Sequence, residues 1–110
     1  MNVWQPHSPY LYNKDCGPVN EILNYREDNN KKGHPNYNKA IEKYGGEIHC
    51  VNKQIMTFVN FIKENDPKAI IIILSDHGHL FFTDMLKDAN KWSSKSVRAR
   101  SSNILAVKVP

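Results

Sequence analysis

The chain has 110 residues, of which 40% are hydrophobic and 24% are charged, the balance of an average globular domain. This composition excludes a wholly disordered chain, a collagen-like repeat and a disulfide-dense miniprotein. The formal net charge of +4 indicates a mild attraction to anionic partners. The basic residues are scattered instead of forming one face, so we predict no specific nucleic-acid partner.

The longest unbroken apolar run covers residues 69–74, far below the roughly 20 residues that a membrane helix requires. No signal-like segment opens the printed sequence, so it predicts no membrane segment and assigns no compartment. The chain has two cysteines, Cys16 and Cys50. They would pair in an oxidising compartment or remain free thiols in a reducing one.

Three segments precede the apolar run. Residues 1–12 are predicted to be the end of a strand, Val3-Trp4, that leads into a proline-containing loop. Residues 13–38, rich in Asn, Lys, Gly and Pro, predict a surface excursion with a short helix around residues 19–25. From about Lys39 to Glu64, apolar residues recur at spacings of three and four, which predicts a helix with one apolar stripe. The members of this stripe are Ile48, Val51, Ile55, Phe58, Val59 and Ile62.

Residues 69–74 are six consecutive apolar residues that do not alternate with polar ones. This pattern is typical of a central parallel strand with both faces buried. Residues 103–109 predict a second strand. We therefore predict an α/β fold with a mostly parallel sheet flanked by helices, forming one domain over residues 1–110.

An acid and two histidines follow the apolar strand directly, in the sequence Ser75-Asp76-His77-Gly78-His79. Ligands of open α/β sheets bind at the carboxyl ends of the strands, which makes Asp76 and His77 candidate metal ligands. A carboxylate oxygen with an imidazole nitrogen suits Zn²⁺ or Mn²⁺ better than the alternatives, Mg²⁺ or Ca²⁺. His79 is a weaker candidate for a third ligand. In the competing interpretation Asp76 only caps the next helix.

A further histidine follows the first predicted strand, in His7-Ser8-Pro9-Tyr10. His7 is a candidate hydrogen-bond donor to a phosphate or sulfate oxygen. By itself the segment would equally suit a surface-loop histidine beside two prolines.

Three motifs occur in a fixed order along the chain. A strand is followed by His-x-Pro-Tyr; a helix carries Tyr44, Glu47, Ile48 and Asn52; and an isoleucine-rich strand ends in Ser-Asp-His-Gly. In this order they resemble the sulfatase-like branch of the alkaline phosphatase superfamily, especially the phosphoglycerol and phosphoethanolamine transferases. The resemblance covers nearly the whole chain and corresponds to the C-terminal part of the family's catalytic domain.

The resemblance implies a metal-dependent hydrolase or transferase that acts on phosphate or sulfate esters. Asp76 and His77 match the paired metal ligands of the family, and His7 matches the histidine that contacts the substrate oxyanion. It also implies that Arg98 to Leu105, running on to Pro110, corresponds to the strand that usually follows. Which ester is the substrate stays open.

The chain departs from the family pattern at the nucleophile. No residue here matches it, and Cys16-Gly17-Pro18 lacks the continuation and position of a formylglycine site. We therefore expect the chain alone to be inactive, with a sheet edge that favours self-association. The alternative is a non-catalytic remnant or an anion-binding or interaction module of the same fold.

Overall fold

A computed structural model of the chain describes residues 5–7, 9–23, 33–78 and 92–110. The elements in this part of the chain are helix α1 (Tyr37–Asn65), strand β1 (Ile71–Leu74), helix α2 (Ser94–Ser101) and strand β2 (Leu105–Lys108). Neither described helix combines the length and apolarity that a membrane crossing requires.

The chain consists of two compact units, residues Met1–Phe58 and Val59–Pro110, and the division falls within α1. The first unit contains the loop around His7 and most of α1. The second contains the Asp76-His77 segment and both strands. The single domain predicted over residues 1–110 stays a prediction.

Helix α1 confirms the helix predicted from the apolar spacing, with bounds one or two residues wider at its ends. The chain turns into it at Gly33, whose φ of +97° is a conformation that favours glycine. The Tyr37 amide donates to the His34 carbonyl at 2.9 Å ahead of the first turn. The helix ends at Asn65 because Pro67 lacks an amide hydrogen and disfavours a helical residue before it.

The segment predicted as a surface excursion over residues 13–38 begins with a short hairpin-like loop. Tyr12 and Pro18 form an antiparallel bridge, and the Val19 amide donates to the Leu11 carbonyl at 2.9 Å. The predicted short helix is absent from residues 19–23, which form bends and irregular backbone; residues 24–25 lie outside the described residues.

Strands β1 and β2 confirm the two strands predicted from the apolar runs, but they pair antiparallel, with Ile72 opposite Val107 and Leu74 opposite Leu105. The described part of the chain therefore shows a two-stranded antiparallel sheet, and the mostly parallel sheet is not observed there. The other predicted strand end, Val3-Trp4, lies outside the described residues.

The prediction that both faces of β1 are buried was wrong. Ile71 and Ile73 are half-buried, whereas Ile72 is 59% exposed and Leu74 is 68% exposed. The unbroken apolar run gives no sign of this alternation. Apolar residues tolerate burial on either face of a strand, but the run does not indicate which face the rest of the chain covers.

Helix α2 occupies part of the segment that the resemblance assigned to a strand. Its Arg and Ala residues are good helix formers, and the Val97 amide donates to the Ser93 carbonyl at 3.0 Å to close the first turn. The strand begins only at Leu105.

Candidate functional site

The candidate site lies where β1 ends. The pairing of β1 with β2 is extended by one residue through Ser75, whose amide donates to the Ile104 carbonyl at 3.1 Å. The Ile104 amide in turn donates to Ser75 Oγ at 2.7 Å. The strand pairing ends here, and Asp76 and His77 are the first residues of the irregular segment that follows β1. The hydrogen bonds of Ser75 hold the start of this segment on the sheet.

The side chains of Asp76 and His77 converge. His77 Nε2 lies 3.4 Å from Asp76 Oδ2, and the His77 amide donates to Asp76 Oδ1 at 2.8 Å. This local amide contact turns the carboxylate toward the imidazole of the next residue. In an extended strand, neighbouring side chains would point to opposite faces, so the departure from the strand at Ser75 is what lets the two groups meet.

Both groups are accessible from solvent. The Asp76 side chain is 84% exposed and the His77 side chain is 42% exposed. An ion or a substrate group therefore reaches both without a conformational opening. Solvent also screens the charges, so the pair contributes little to folding stability.

Arg100 of α2 lies against the other side of the His77 ring. Its Nη1 is 2.7 Å from His77 Nδ1 and 3.2 Å from the Gly78 carbonyl oxygen. Nδ1 also lies 2.8 Å from the Gly78 carbonyl oxygen. An arginine only donates, so its contact requires a lone pair on Nδ1, whereas the carbonyl contact requires a proton there. The two contacts correspond to different tautomers of His77.

This local arrangement is tied to α2 by the backbone. The Gly78 amide donates to the Arg100 carbonyl at 2.8 Å, and Asn103 Nδ2 donates to the Asp76 carbonyl at 3.3 Å. The segment after β1 is thus held against the end of α2 and the turn that follows it.

His7 lies in the first unit and its side chain is exposed. Its charge lowers the pKa of Glu47, although burial has the larger effect and raises that pKa overall. Glu47 is 1% exposed, and its Oε1 accepts a hydrogen bond from the Leu11 amide at 3.1 Å. The prediction that His7 contacts a phosphate or sulfate oxygen of the substrate stays a prediction.

His79 lies outside the described residues. Within the described ranges, no three acidic, histidine or cysteine side chains are grouped as metal ligands. Sequence reasoning missed Arg100, which no spacing rule connects to His77, and the burial of Glu47, whose only signal was a carboxylate next to an apolar stripe.

A family model described as Sulfatase matches residues 3–99, which include the His7 segment, α1 and the Asp76-His77 segment. No curated protein and no solved structure matches the chain significantly. Since the matched region covers most of its length, the chain belongs to the sulfatase family, a family of hydrolases.

Proposed function

We propose that the chain contributes a partial site to a metal-dependent hydrolase or transferase of phosphate or sulfate esters. Asp76 and His77 would hold a divalent metal ion, and His7 would bind an oxygen of the substrate. The observation that carries the proposal is the 3.4 Å separation of Asp76 Oδ2 and His77 Nε2 at the end of β1.

That separation fits a shared ion. Two ligands at about 2.0–2.2 Å from a tetrahedral zinc ion lie roughly 3.3–3.6 Å from each other. The donor types, one carboxylate oxygen and one imidazole nitrogen, suit Zn²⁺ and Mn²⁺. A bound cation would neutralise charge on the transferring group and lower the pKa of a coordinated hydroxyl group. His77 would offer Nε2 while Nδ1 donates to the Gly78 carbonyl, the usual second contact of a ligating histidine.

The substrate class follows from family membership and from the motif order. Phosphate and sulfate esters both present a tetrahedral oxyanion, which His7 would orient by hydrogen bonding. The closer assignment to phosphoglycerol or phosphoethanolamine transferases rests on the order of the His-x-Pro-Tyr, Tyr-x-x-Glu and Ser-Asp-His-Gly motifs.

Catalytic turnover requires a further metal ligand and a nucleophile in addition to Asp76, His77 and His7. Catalytic zinc sites normally have three protein ligands, whereas two are brought together among the described residues. No residue of the printed sequence matches the family's nucleophile, so covalent catalysis is not expected from these 110 residues alone. We propose weak, exchangeable metal binding by this chain and no measurable hydrolysis.

A second candidate function is anion binding without turnover, and Arg100 favours it. Its guanidinium lies 2.7 Å from the His77 ring and adds a permanent positive charge to the same surface. An anion would then bind to Arg100 and to His77, with Asp76 opposing it by repulsion.

Isothermal titration with Zn²⁺ and Mn²⁺ tests the proposal. Asp76→Ala and His77→Ala should each abolish binding, because one remaining donor leaves the ion almost wholly hydrated. Glu64→Gln and His49→Ala, which alter exposed residues of the same types on α1, are the matched controls and should bind like the original chain.

Unchanged metal binding in the Asp76 and His77 variants would overturn the metal site. Binding of inorganic phosphate without metal, lost in Arg100→Gln and strengthened in Asp76→Ala, would establish the anion-binding module instead. Hydrolysis of p-nitrophenyl phosphate or sulfate that depends on Asp76 would show that the chain is a complete enzyme.

A further inference from the structure

We propose that Glu47 and the Cys16–Cys50 disulfide fasten the loop of residues 10–18 onto α1, and that this fastening positions His7. The inference depends on the proposed role of His7 in substrate binding. It adds that the position of His7 requires an oxidised pair of cysteines, so the site would be impaired in a reducing environment.

Glu47 is the first attachment point. Its side chain is 1% exposed, and Oε1 accepts the Leu11 amide hydrogen at 3.1 Å. Oε2 is also buried and accepts no hydrogen bond from the described residues. A buried carboxyl group is costly unless it makes compensating contacts. The hydrogen bond from the Leu11 amide to Oε1 therefore offsets part of the cost of burying this carboxyl group.

The disulfide is the second attachment point. Cys16 and Cys50 are joined, their Cα atoms lie 4.9 Å apart, and Cys50 is fully buried. Cys16 has a φ of +65°, in the left-handed region that non-glycine residues rarely adopt. Asn13 shapes this turn, because its Oδ1 accepts the Asp15 and Gly17 amide hydrogens at 2.9 and 3.0 Å.

The contacts between the loop and the helix are periodic. Tyr10 contacts the ring of Tyr44, Leu11 bonds to Glu47, Cys16 joins Cys50 and Asp15 pairs with Lys53. The helix partners are therefore spaced by three residues, so each is a neighbour of the next and the row winds gradually around α1. The loop follows the helix for about two and a half turns through several contacts.

Gly46 allows the backbones to approach closely. A Cβ at this position would lie 3.3 Å from the Lys14 amide nitrogen and 3.6 Å from Asn13 Cα. At the neighbouring Gly45, a Cβ would meet nothing within 4 Å. The loop thus packs directly on the helix backbone at the one glycine that faces it.

These contacts also restrict the position of His7, because only a short length of chain separates it from the loop. His7 precedes Tyr10 by three residues, a span of at most about 10–11 Å even when fully extended. Pro9 lies in this span and restricts its backbone. Burial raises the pKa of Glu47, and His7 has a smaller, opposing influence on the same pKa. Release of the loop would let His7 sample many positions and weaken binding of an oxyanion.

The experiment measures the loop and the anion separately in the full chain. Hydrogen exchange of the Leu11 and Val19 amides and the NMR signal of the His7 imidazole report the loop; titration with inorganic phosphate and sulfate reports the anion. Dithiothreitol reduces the folded protein by giving two electrons and two protons to the disulfide, which becomes two thiols while the reagent becomes a cyclic disulfide.

Reduction and the Cys16→Ser/Cys50→Ser variant should both speed exchange of the Leu11 amide by about tenfold or more and shift the His7 signal. Glu47→Ala should do the same, whereas Glu47→Gln keeps an acceptor oxygen and should behave like the original chain. Glu42→Ala, at an exposed position on α1, is the control and should leave both readouts unchanged.

Slow Leu11 exchange and an unmoved His7 signal after reduction and in Glu47→Ala would overturn the inference. Reduction of the original, folded chain keeps the test valid even if the cysteine variant fails to fold. If the loop responds as expected but the oxidised chain binds neither phosphate nor sulfate even with Mn²⁺ present, the proposed function fails and the fastening of the loop stands.

Discussion

Gly78 and Ala99 approach each other so closely that only glycine fits at the first position. A Cβ at residue 78 would lie 1.8 Å from the Ala99 carbonyl oxygen and 3.1 Å from that of Ser102. The neighbouring Gly78 amide donates to the Arg100 carbonyl at 2.8 Å. Glycine is therefore required at position 78 because α2 packs closely against this residue, and not because the residue has an unusual φ angle.

Gly78→Ala should destabilise the second unit by about 1–3 kcal/mol, because the added methyl group overlaps backbone atoms that cannot rotate away. Gly45→Ala is the matched control: its Cβ meets nothing, and alanine is favoured over glycine inside a helix by about 0.5–1 kcal/mol. Urea unfolding should show opposite signs for the two variants. Equal free energies of unfolding would refute the close approach at Gly78.

The pKa of Glu47 predicts a pH-dependent stability. Burial raises the pKa above the ordinary 4.5, so the folded chain holds this proton more tightly than the unfolded chain does. The associated stability is present below about pH 4.5 and is lost as the pH rises through the folded-state pKa. Glu47→Gln has no proton to lose. We expect the free energy of unfolding of the original chain to fall relative to this variant as the pH rises.

The measurement is urea unfolding of both chains at several values from about pH 4 to about pH 8. A difference that stays constant across this range, or that grows in favour of the original chain, would show that Glu47 titrates normally. Glu42→Gln, at an exposed helix position, should show no such trend and controls for the loss of one negative charge.

The sheet face predicts self-association. Ile72 and Val107 are cross-strand partners that are 59% and 55% exposed, and Leu74 and Leu105, the next pair, are 68% and 69% exposed. Contiguous exposed apolar pairs favour association, as do the unpaired backbone groups of edge strands. We expect the chain to form dimers or larger species as its concentration rises, measured by light scattering after size-exclusion chromatography.

Ile72→Lys should shift this equilibrium toward the monomer, since a charged side chain in the face opposes its burial. Met56→Lys is the matched control, because it places the same charge at a 56% exposed apolar position on α1. A monomer at every concentration, or an equal effect of the two variants, would exclude the β1–β2 face as the contact surface.

Structural features that depend on local interactions were predicted from the sequence, whereas features that depend on contacts between distant residues were not. The period of α1 and its end shortly before Pro67, together with the existence of β1 and β2, follow from local pattern and backbone chemistry, and all were predicted. The strand direction was not, because antiparallel pairing depends on where the chain returns after residues 79–91. Asp76 and His77 were predicted as paired ligands because they are adjacent at the end of a strand, whereas Arg100 reaches His77 across 23 positions.

The burial of Glu47 and the Cys16–Cys50 disulfide also depend on contacts between distant parts of the chain, which the residue pattern of α1 does not predict. Of the predicted apolar stripe, Val51 is buried, but the other buried residues of α1 are Ala40, Glu47 and Cys50, which lie outside the stripe. The face that packs is set by the loop that lies on it, through a disulfide and an amide-to-carboxylate bond. Pattern counting on the helix alone contains no information about that loop.

Arg100 provides the sharpest test of the His77 geometry. Its donation to Nδ1 requires a lone pair there, which leaves the proton of neutral His77 on Nε2 and blocks that atom as a metal ligand. Arg100→Gln removes this competition and a positive charge worth about 1 kcal/mol of repulsion in a solvent-exposed site. We therefore expect the variant to bind Zn²⁺ about fivefold more tightly than the original chain.

Arg98→Gln is the matched control, because Arg98 lies on the same exposed helix and loses the same charge without contacting His77. Isothermal titration at one ionic strength compares the three chains. If both arginine variants gain equally, the effect is general electrostatics and the Nδ1 contact is irrelevant. If Arg100→Gln binds Zn²⁺ more weakly, the guanidinium orients the His77 ring for coordination, and the two tautomers are not in competition.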